Sequence, residues 1–267
     1  MELTQTLLLK RSDVTGLLNI DECIVVCDGV NGKLLALIDS IEITIIRTGA
    51  ATAIAAKYLA PQDAKIVTIC GCGNQGLISL KALMKVRQLE KVFAFDVDKL
   101  QAEKLAQEFA DELKVIPITV NALQMALSQS QICITCTPSR EPFIRAEDIM
   151  PGTFIAAVGA DSEEKQELFP DLISSSKIVV DLAEQSAVIG ELHHAIQQGL
   201  ISVVGIHAEL GHIIAGKKPG RESDKEIIIF DSTGTALQDA AAAAIVYEKA
   251  LATGIGTKLN FSEQSMI

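Results

Sequence analysis

Between Lys65 and Gly205 the chain alternates short β-rich runs with helical patterns, and this alternation restricts the fold more than any other feature. The runs are "KIVTIC", "KVFAFD", "KVIPITV", "QICITC", "GTFIAAVG" and "KIVVDL", with "LISVVG" reading as one more strand. Helical patterns lie between them, over residues 77–86 and 99–112 and in a short piece near Leu123. The runs are apolar on both faces rather than alternating, so each strand must be covered from both sides. Strands of that kind, joined by helices, predict a doubly wound parallel sheet, an α/β domain.

The flanks read differently. Residues 1–46 offer "TLLLK", a helix from about Ser12, then "CIVVCD" and "KLLALID" joined by the hairpin turn "GVNGK". Residues 48–60, "TGAATAIAAKYLA", read as a small-residue helix stopped by Pro61. "EIIIFD" is a strand, and residues 237–253 form an alanine-rich helix closed by Gly254, with Thr235 and Gln238 at capping-box spacing before it. Residues 1–60 with 235–267 are therefore expected to form a smaller α+β domain beside the doubly wound one, residues 61–234.

Gly71-Cys72-Gly73-Asn74-Gln75-Gly76 follows the first strand of that sheet and opens a helix. In such a turn the first glycine permits the tight bend and the second lets backbone approach a pyrophosphate. The third allows close packing of helix on strand, and free N–H groups at the helix start favour the anion. Asp96 ends the next strand about 20 residues on, where a carboxylate accepts from an adenosine ribose and repels a 2′-phosphate. The expected cofactor is NAD rather than NADP. The structural alternative is a plain strand-to-helix turn and a surface aspartate.

Composition narrows the partners. The formal net charge is −11, which offers no electrostatic footprint for nucleic acid or an anionic membrane. No apolar run approaches the roughly 20 residues needed to span a bilayer. The opening "MELTQTLLLKRSDV" lacks the pattern of a secretory signal, so a cytoplasmic setting is expected and the six cysteines read as thiols. Cys133 and Cys136 form a CxxC, but the period of a strand sends them to opposite faces, and no metal site is expected. Asp161 and Lys165, in "AAVGADSEEKQEL", place an acid and an amine at the carboxyl edge of the sheet. Asp161 is a general acid or base there, or else a cap for the segment "SEEKQEL". Arg47 either grips a carboxylate or cofactor, or forms a surface ion pair. The four histidines show no ligand spacing.

Taken together, "IRTGAATAIAAKYLA", "GCGNQG", "VGADSEEKQEL" and "ELGHIIAGKKPGRESDKEIIIFDSTGTALQD" resemble the ornithine cyclodeaminase/μ-crystallin family, from about Asn31 to Gly256. The resemblance implies a dinucleotide-binding Rossmann domain, a substrate and dimerisation domain, and a homodimer. It also implies NAD(P)-dependent chemistry at the C–N bond of a small amino or imino acid. In the family's cyclodeaminases hydride leaves Cα, ammonia is lost as the imine cyclises, and hydride returns; its reductases run only the last step. By motif, Arg47 meets substrate carboxylate and cofactor, Thr48 begins a helix facing the pyrophosphate, and Asn74 and Gln75 are the cofactor pair within the glycine turn. Asp96 takes the ribose, Thr137 and Val158 contact the cofactor beyond their strands, and Asp161 is the catalytic carboxylate. Lys165 and Ser232 lie on the cofactor side. Two departures stand out. The first strand and helix are nearly fused to the hairpin around residues 21–26, where the family has a longer stretch with further basic residues for the substrate carboxylate. "SEEK" replaces a proline and glycine before the lysine. A non-catalytic dinucleotide-binding protein, or one with a defective small domain, is the alternative to an enzyme.

Overall fold

The computed structural model describes residues 6–10 and 22–259. The helix expected from Ser12 and part of the fused segment fall outside the described residues.

Strands β1 (Thr6–Lys10), β2 (Glu22–Cys27) and β3 (Leu34–Asp39) form an antiparallel sheet in that order. The β2–β3 turn closes as the hairpin expects: the Asp28 carboxylate accepts the Val30 amide at 2.8 Å, and Gly32 takes a left-handed φ of +72°. Helix Ala236–Thr253 packs on β1 and β2, and Ile24, Val26, Ile43 and Ala243 make a small core. The described parts of residues 1–44 and 236–267 constitute one compact unit; residues 45–235 constitute the other.

The larger unit is an eight-stranded parallel sheet. Its strands are β4 (Ile66–Cys70), β5 (Lys91–Phe95), β6 (Lys114–Ile118), β7 (Ile132–Thr135), β8 (Phe154–Ala157), β9 (Lys177–Val180), β10 (Ala208–Glu209) and β11 (Ile228–Asp231). They lie in the order β10-β9-β11-β8-β7-β4-β5-β6. The chain runs outward from β4 through β5 and β6, then returns to β7 on the other side of β4. The carboxyl ends of β4 and β7 therefore flank the switch point, where helices diverge and leave a crevice. Apolar residues fill both faces. Ile69, Ile134, Phe154 and Phe230 pack with Leu59, Leu80 and Leu105 on one, and Phe95, Cys133, Ile155 and Ile229 pack with Leu127, Leu172 and Leu192 on the other.

Two expectations change. The helix read from Thr48 begins at Ile41 and runs to Leu59, because the Asp39 carboxylate accepts the Ile41 amide at 3.0 Å and Glu42 suits the positive helix start. The β-branched residues Ile41, Ile43, Thr44, Ile45 and Ile46 disguise that turn as strand. "LISVVG" is not a strand. Gly199 turns the chain at φ +70°, Val203–Gly205 forms a 3-10 turn with Val204 94% exposed, and pairing at the sheet edge resumes only at Ala208–Glu209.

Candidate functional site

The glycine turn sits at the switch point, and each of its glycines has its own steric setting. Gly71 has φ +97°, and a Cβ there would lie 2.7 Å from the Cys136 carbonyl oxygen beyond β7. A Cβ on Gly76 would run into the Gly71 carbonyl, so helix Asn74–Leu83 lies directly on the turn. At Gly73 nothing lies within 4 Å of that position, and no side chain caps the helix start. The amides of the first turn thus face open space reached by bare backbone, the arrangement an anionic pyrophosphate needs. Asp96 is tied to the same turn: its carboxylate accepts the Cys72 amide at 2.7 Å and the Asp98 amide at 2.9 Å. Two further lone pairs on that carboxylate remain for hydroxyl donors. The residues present fit a dinucleotide.

Around this turn the structure gathers the other predicted residues along one carboxyl edge. Asn74 is exposed at the helix start, while the Gln75 amide donates to the Ile45 carbonyl at 3.4 Å and to Ser79 Oγ at 3.2 Å. Thr137 follows β7 and Val158 follows β8, both half-buried. The Ser232 hydroxyl, just past β11, donates to Asp181 at 3.2 Å. Arg47 and Thr48 lie within a helix rather than before it. The Thr48 amide therefore cannot offer a free helix start to a phosphate, which corrects that part of the expectation. Arg47 points its guanidinium at the turn after β11, where a Cβ on Gly234 would meet Nη1 at 2.8 Å.

Asp161 stands beyond β8, next to β11 in the sheet. No helix forms over "SEEKQEL", so Asp161 caps nothing; its carboxylate meets Lys165 Nζ at 2.6 Å, with the aspartate side chain 60% exposed. His194 Nε2 lies 2.9 Å from the Lys165 carbonyl, and Glu164 pairs with Arg140 at 3.0 Å. The loop is thus held by charged side chains beyond the carboxyl end of β8, where an exposed acid can exchange protons with solvent.

Several buried or half-buried acids went unread in the sequence. Asp181 takes the hydroxyls of Ser232 and Thr233 and the Gly234 amide; Asp231 takes the amides of Glu191 and Leu192; Glu191 takes those of Glu167 and Leu168. The readable signal was an acid closing an apolar strand, "VVD" and "IIFD", the same pattern that marks Asp96. The cysteines pack as small apolar groups. All six are free thiols, and Cys133 and Cys136 serve opposite faces of the sheet. Burial, with the Asp96 charge second, pushes the Cys72 thiol up to about 12, far from a reactive thiolate. Among the described residues no group of three His, Cys, Asp or Glu side chains is placed to hold a metal ion. No described helix is long and apolar enough to cross a membrane.

Comparison with known proteins places this geometry. An alanine dehydrogenase of Archaeoglobus fulgidus is 44% identical over 230 residues, covering 86% of this chain and 70% of that one. A solved archaeal alanine dehydrogenase dimer with bound NAD matches with TM-score 0.86 and 41% identity, over 90% of this chain and 74% of that one. The Thermococcus litoralis Δ(1)-pyrroline-2-carboxylate reductase, in complex with NADH and L-proline, matches with TM-score 0.81 and 36% identity, over 89% and 74%. Residues 10–254 match the family model, and the chain belongs to the ornithine cyclodeaminase/mu-crystallin family.

Proposed function

We propose that the protein is an NAD-dependent oxidoreductase acting at the C–N bond of a small amino or imino acid, of the imino acid reductase or alanine dehydrogenase type. The observation that carries this reading is the glycine turn with Asp96 bonded to it, set on the same sheet edge as the exposed carboxylate of Asp161. Bare backbone at Gly73 and the amides after it would hold the pyrophosphate, and Asp96 the ribose hydroxyls. Asp96 also disfavours a 2′-phosphate, which makes NADP the weaker ligand. Thr137, Val158, Lys165 and Ser232 would line the nicotinamide side, and Arg47 would orient the substrate carboxylate.

When bound, the dinucleotide supplies the hydride exchange at the substrate carbon. The protein supplies position and protons. In the reducing direction a C=N bond gains hydride at carbon and a proton at nitrogen; Asp161 would give that proton, and in the other direction would receive it. Lys165 holds the carboxylate at the crevice mouth. A homodimer is part of the proposal: Leu35, Leu37, Ile245 and Leu251 are large apolar side chains exposed on the smaller unit. So is a cytoplasmic setting, which suits six free thiols.

An NADH-oxidation screen over small cyclic imino acids, and over keto acids with ammonia, tests the reading. Consumption of NADH with at least one of them is expected. Tight NADH binding without turnover on any would overturn the enzyme and leave a dinucleotide-binding protein.

A further inference from the structure

One buried acid has no part in the chemistry above. Glu167 is fully buried. Its Oε1 accepts the Thr137 amide at 2.7 Å. Its Oε2 has no hydrogen-bond partner and lies against Gly159, where a Cβ would stand 2.5 Å from it and 2.6 Å from the Thr137 carbonyl oxygen. The Thr135 hydroxyl at the end of β7 is also buried without a partner. A single carboxyl therefore joins the loops after β7 and β8 from beneath, and residue 159 has no room for a side chain.

The groups facing Glu167 are acids and thiols. Glu191, on helix Glu191–Gln197, accepts the Glu167 and Leu168 amides, and Asp231 at the end of β11 accepts the Glu191 and Leu192 amides. Cys70 ends β4 and Cys136 follows β7, each within electrostatic reach of Glu167. His193 and His194 share the helix of Glu191, and His194 meets the Lys165 carbonyl; on the loop of Glu167 itself, Lys165 is paired with Asp161. Among the described residues no Lys, Arg or His side chain is bonded to Glu167, Glu191 or Asp231. Only backbone and hydroxyl dipoles offset their charge, so burial dominates and raises Glu167 to about 7.

We propose that Glu167 is a positioning residue for the dinucleotide: its carboxyl sets the spacing of the loops that carry Thr137 and Val158, and a proton on it decides how closely they approach. With that proton, the carboxyl is a neutral donor, and the loops close over an uncharged group. Without it, a buried anion with no cation must draw in water or push the loops apart. This rests on the reading that Thr137 and Val158 line the cofactor.

The test is a direct titration of the full chain with NADH, followed by fluorescence, from pH 6 to pH 9, for the parent and for Glu167→Gln. The amide keeps the size and a donor but cannot ionise. The parent is expected to lose about tenfold in affinity across that range, as proton uptake becomes linked to binding, while Glu167→Gln keeps its pH 6 affinity throughout. A residue that merely holds the fold would shift affinity by one factor at every pH. An unchanged slope in Glu167→Gln, which leaves the histidines to account for it, overturns the proposal alone. A parent that binds with no slope overturns it even if the variant does not fold. A parent that fails to bind NADH at any pH overturns this proposal and the proposed function together.

Discussion

Two stretches at the same sheet edge, the turn at Gly71–Gly76 and the loop at Asp161–Lys165, are built on opposite principles. In the turn the contacts are backbone against backbone, with Gly71 on the Cys136 carbonyl and Gly76 on the Gly71 carbonyl, and a methyl on either has nowhere to go. In the loop they are ion pairs at the surface, Asp161 with the half-buried Lys165 and Glu164 with Arg140. Backbone packing specifies one geometry, and changing it disturbs the fold; exposed ion pairs contribute little and rearrange freely. The difference teaches how one scaffold keeps its cofactor while its relatives bear the names of different substrates. The half that must not vary is made of glycines, and the half that can is made of charges.

The sharpest way to break that contrast is Asp161→Asn. If the loop acts through chemistry alone, turnover in the NADH screen falls roughly 10²–10⁴-fold, the range for a lost general acid or base, with thermal unfolding and NADH affinity unchanged. An equal loss of stability would show that the loop is structural after all. In the turn the opposite holds. Gly76→Ala should cost about 3 kcal/mol or more of stability in denaturant melts, because a backbone carbonyl cannot step aside. Gly73→Ala, which meets nothing within 4 Å, should melt like the parent and yet bind NADH at least tenfold more weakly. Were Gly73→Ala to bind normally, the open space at Gly73 would not be the path of the cofactor.

A third effect separates buried from exposed acids. Burial raises Glu167 from 4.5 to about 7 and Asp231 from 3.8 to about 7. The native state then binds more protons than the unfolded chain between those values, so these groups favour folding below about pH 4 and that contribution is lost as pH rises through about 7. The shifts correspond to at most about 3 kcal/mol for Glu167 and about 4 kcal/mol for Asp231. Chemical denaturation at pH 5 and pH 8 should show the parent less stable at pH 8, and Glu167→Gln less affected by the change. Stability that rises between those two values would mean the buried acids are compensated by a charge among the neighbours.

The same contrast explains what the sequence disclosed. The glycine turn was legible because its constraint is local: three glycines, a preceding apolar strand and an acid at the next strand's end. Asp161 was legible in position but not in partner, since nothing in "SEEKQEL" says whether a turn or a helix follows; Lys165, four residues on, fits an i,i+4 pair in either. Glu167 and Glu191 were illegible because their partners are amides brought together by folding, 23 to 30 residues apart in the chain; Asp231, closing its strand as Asp96 does, showed its position but not its partners. The strand at "LISVVG" was misread because an apolar run does not announce that its glycines turn it away from the sheet, and the start of the helix at Ile41 was hidden by β-branched residues whose cap, Asp39, lay one step earlier.

The smallest expected effect completes the comparison. Arg140 and Glu164 are 75% and 69% exposed and meet at 3.0 Å, tying the outer part of the Asp161–Lys165 loop to the segment after Thr137. Arg140→Ala should change stability by under about 0.5 kcal/mol, since water already screens the pair and two long side chains lose entropy in making it. It should also leave NADH affinity alone, because the turn is held elsewhere. What it can move is substrate: if the loop is a freely adjustable half, releasing Glu164 alters the KM for an imino acid while kcat and cofactor binding stay fixed. A fall in NADH affinity in this variant would mean that the two stretches are mechanically joined through residues 137–140, and the division between a rigid and an adjustable half would have to be redrawn.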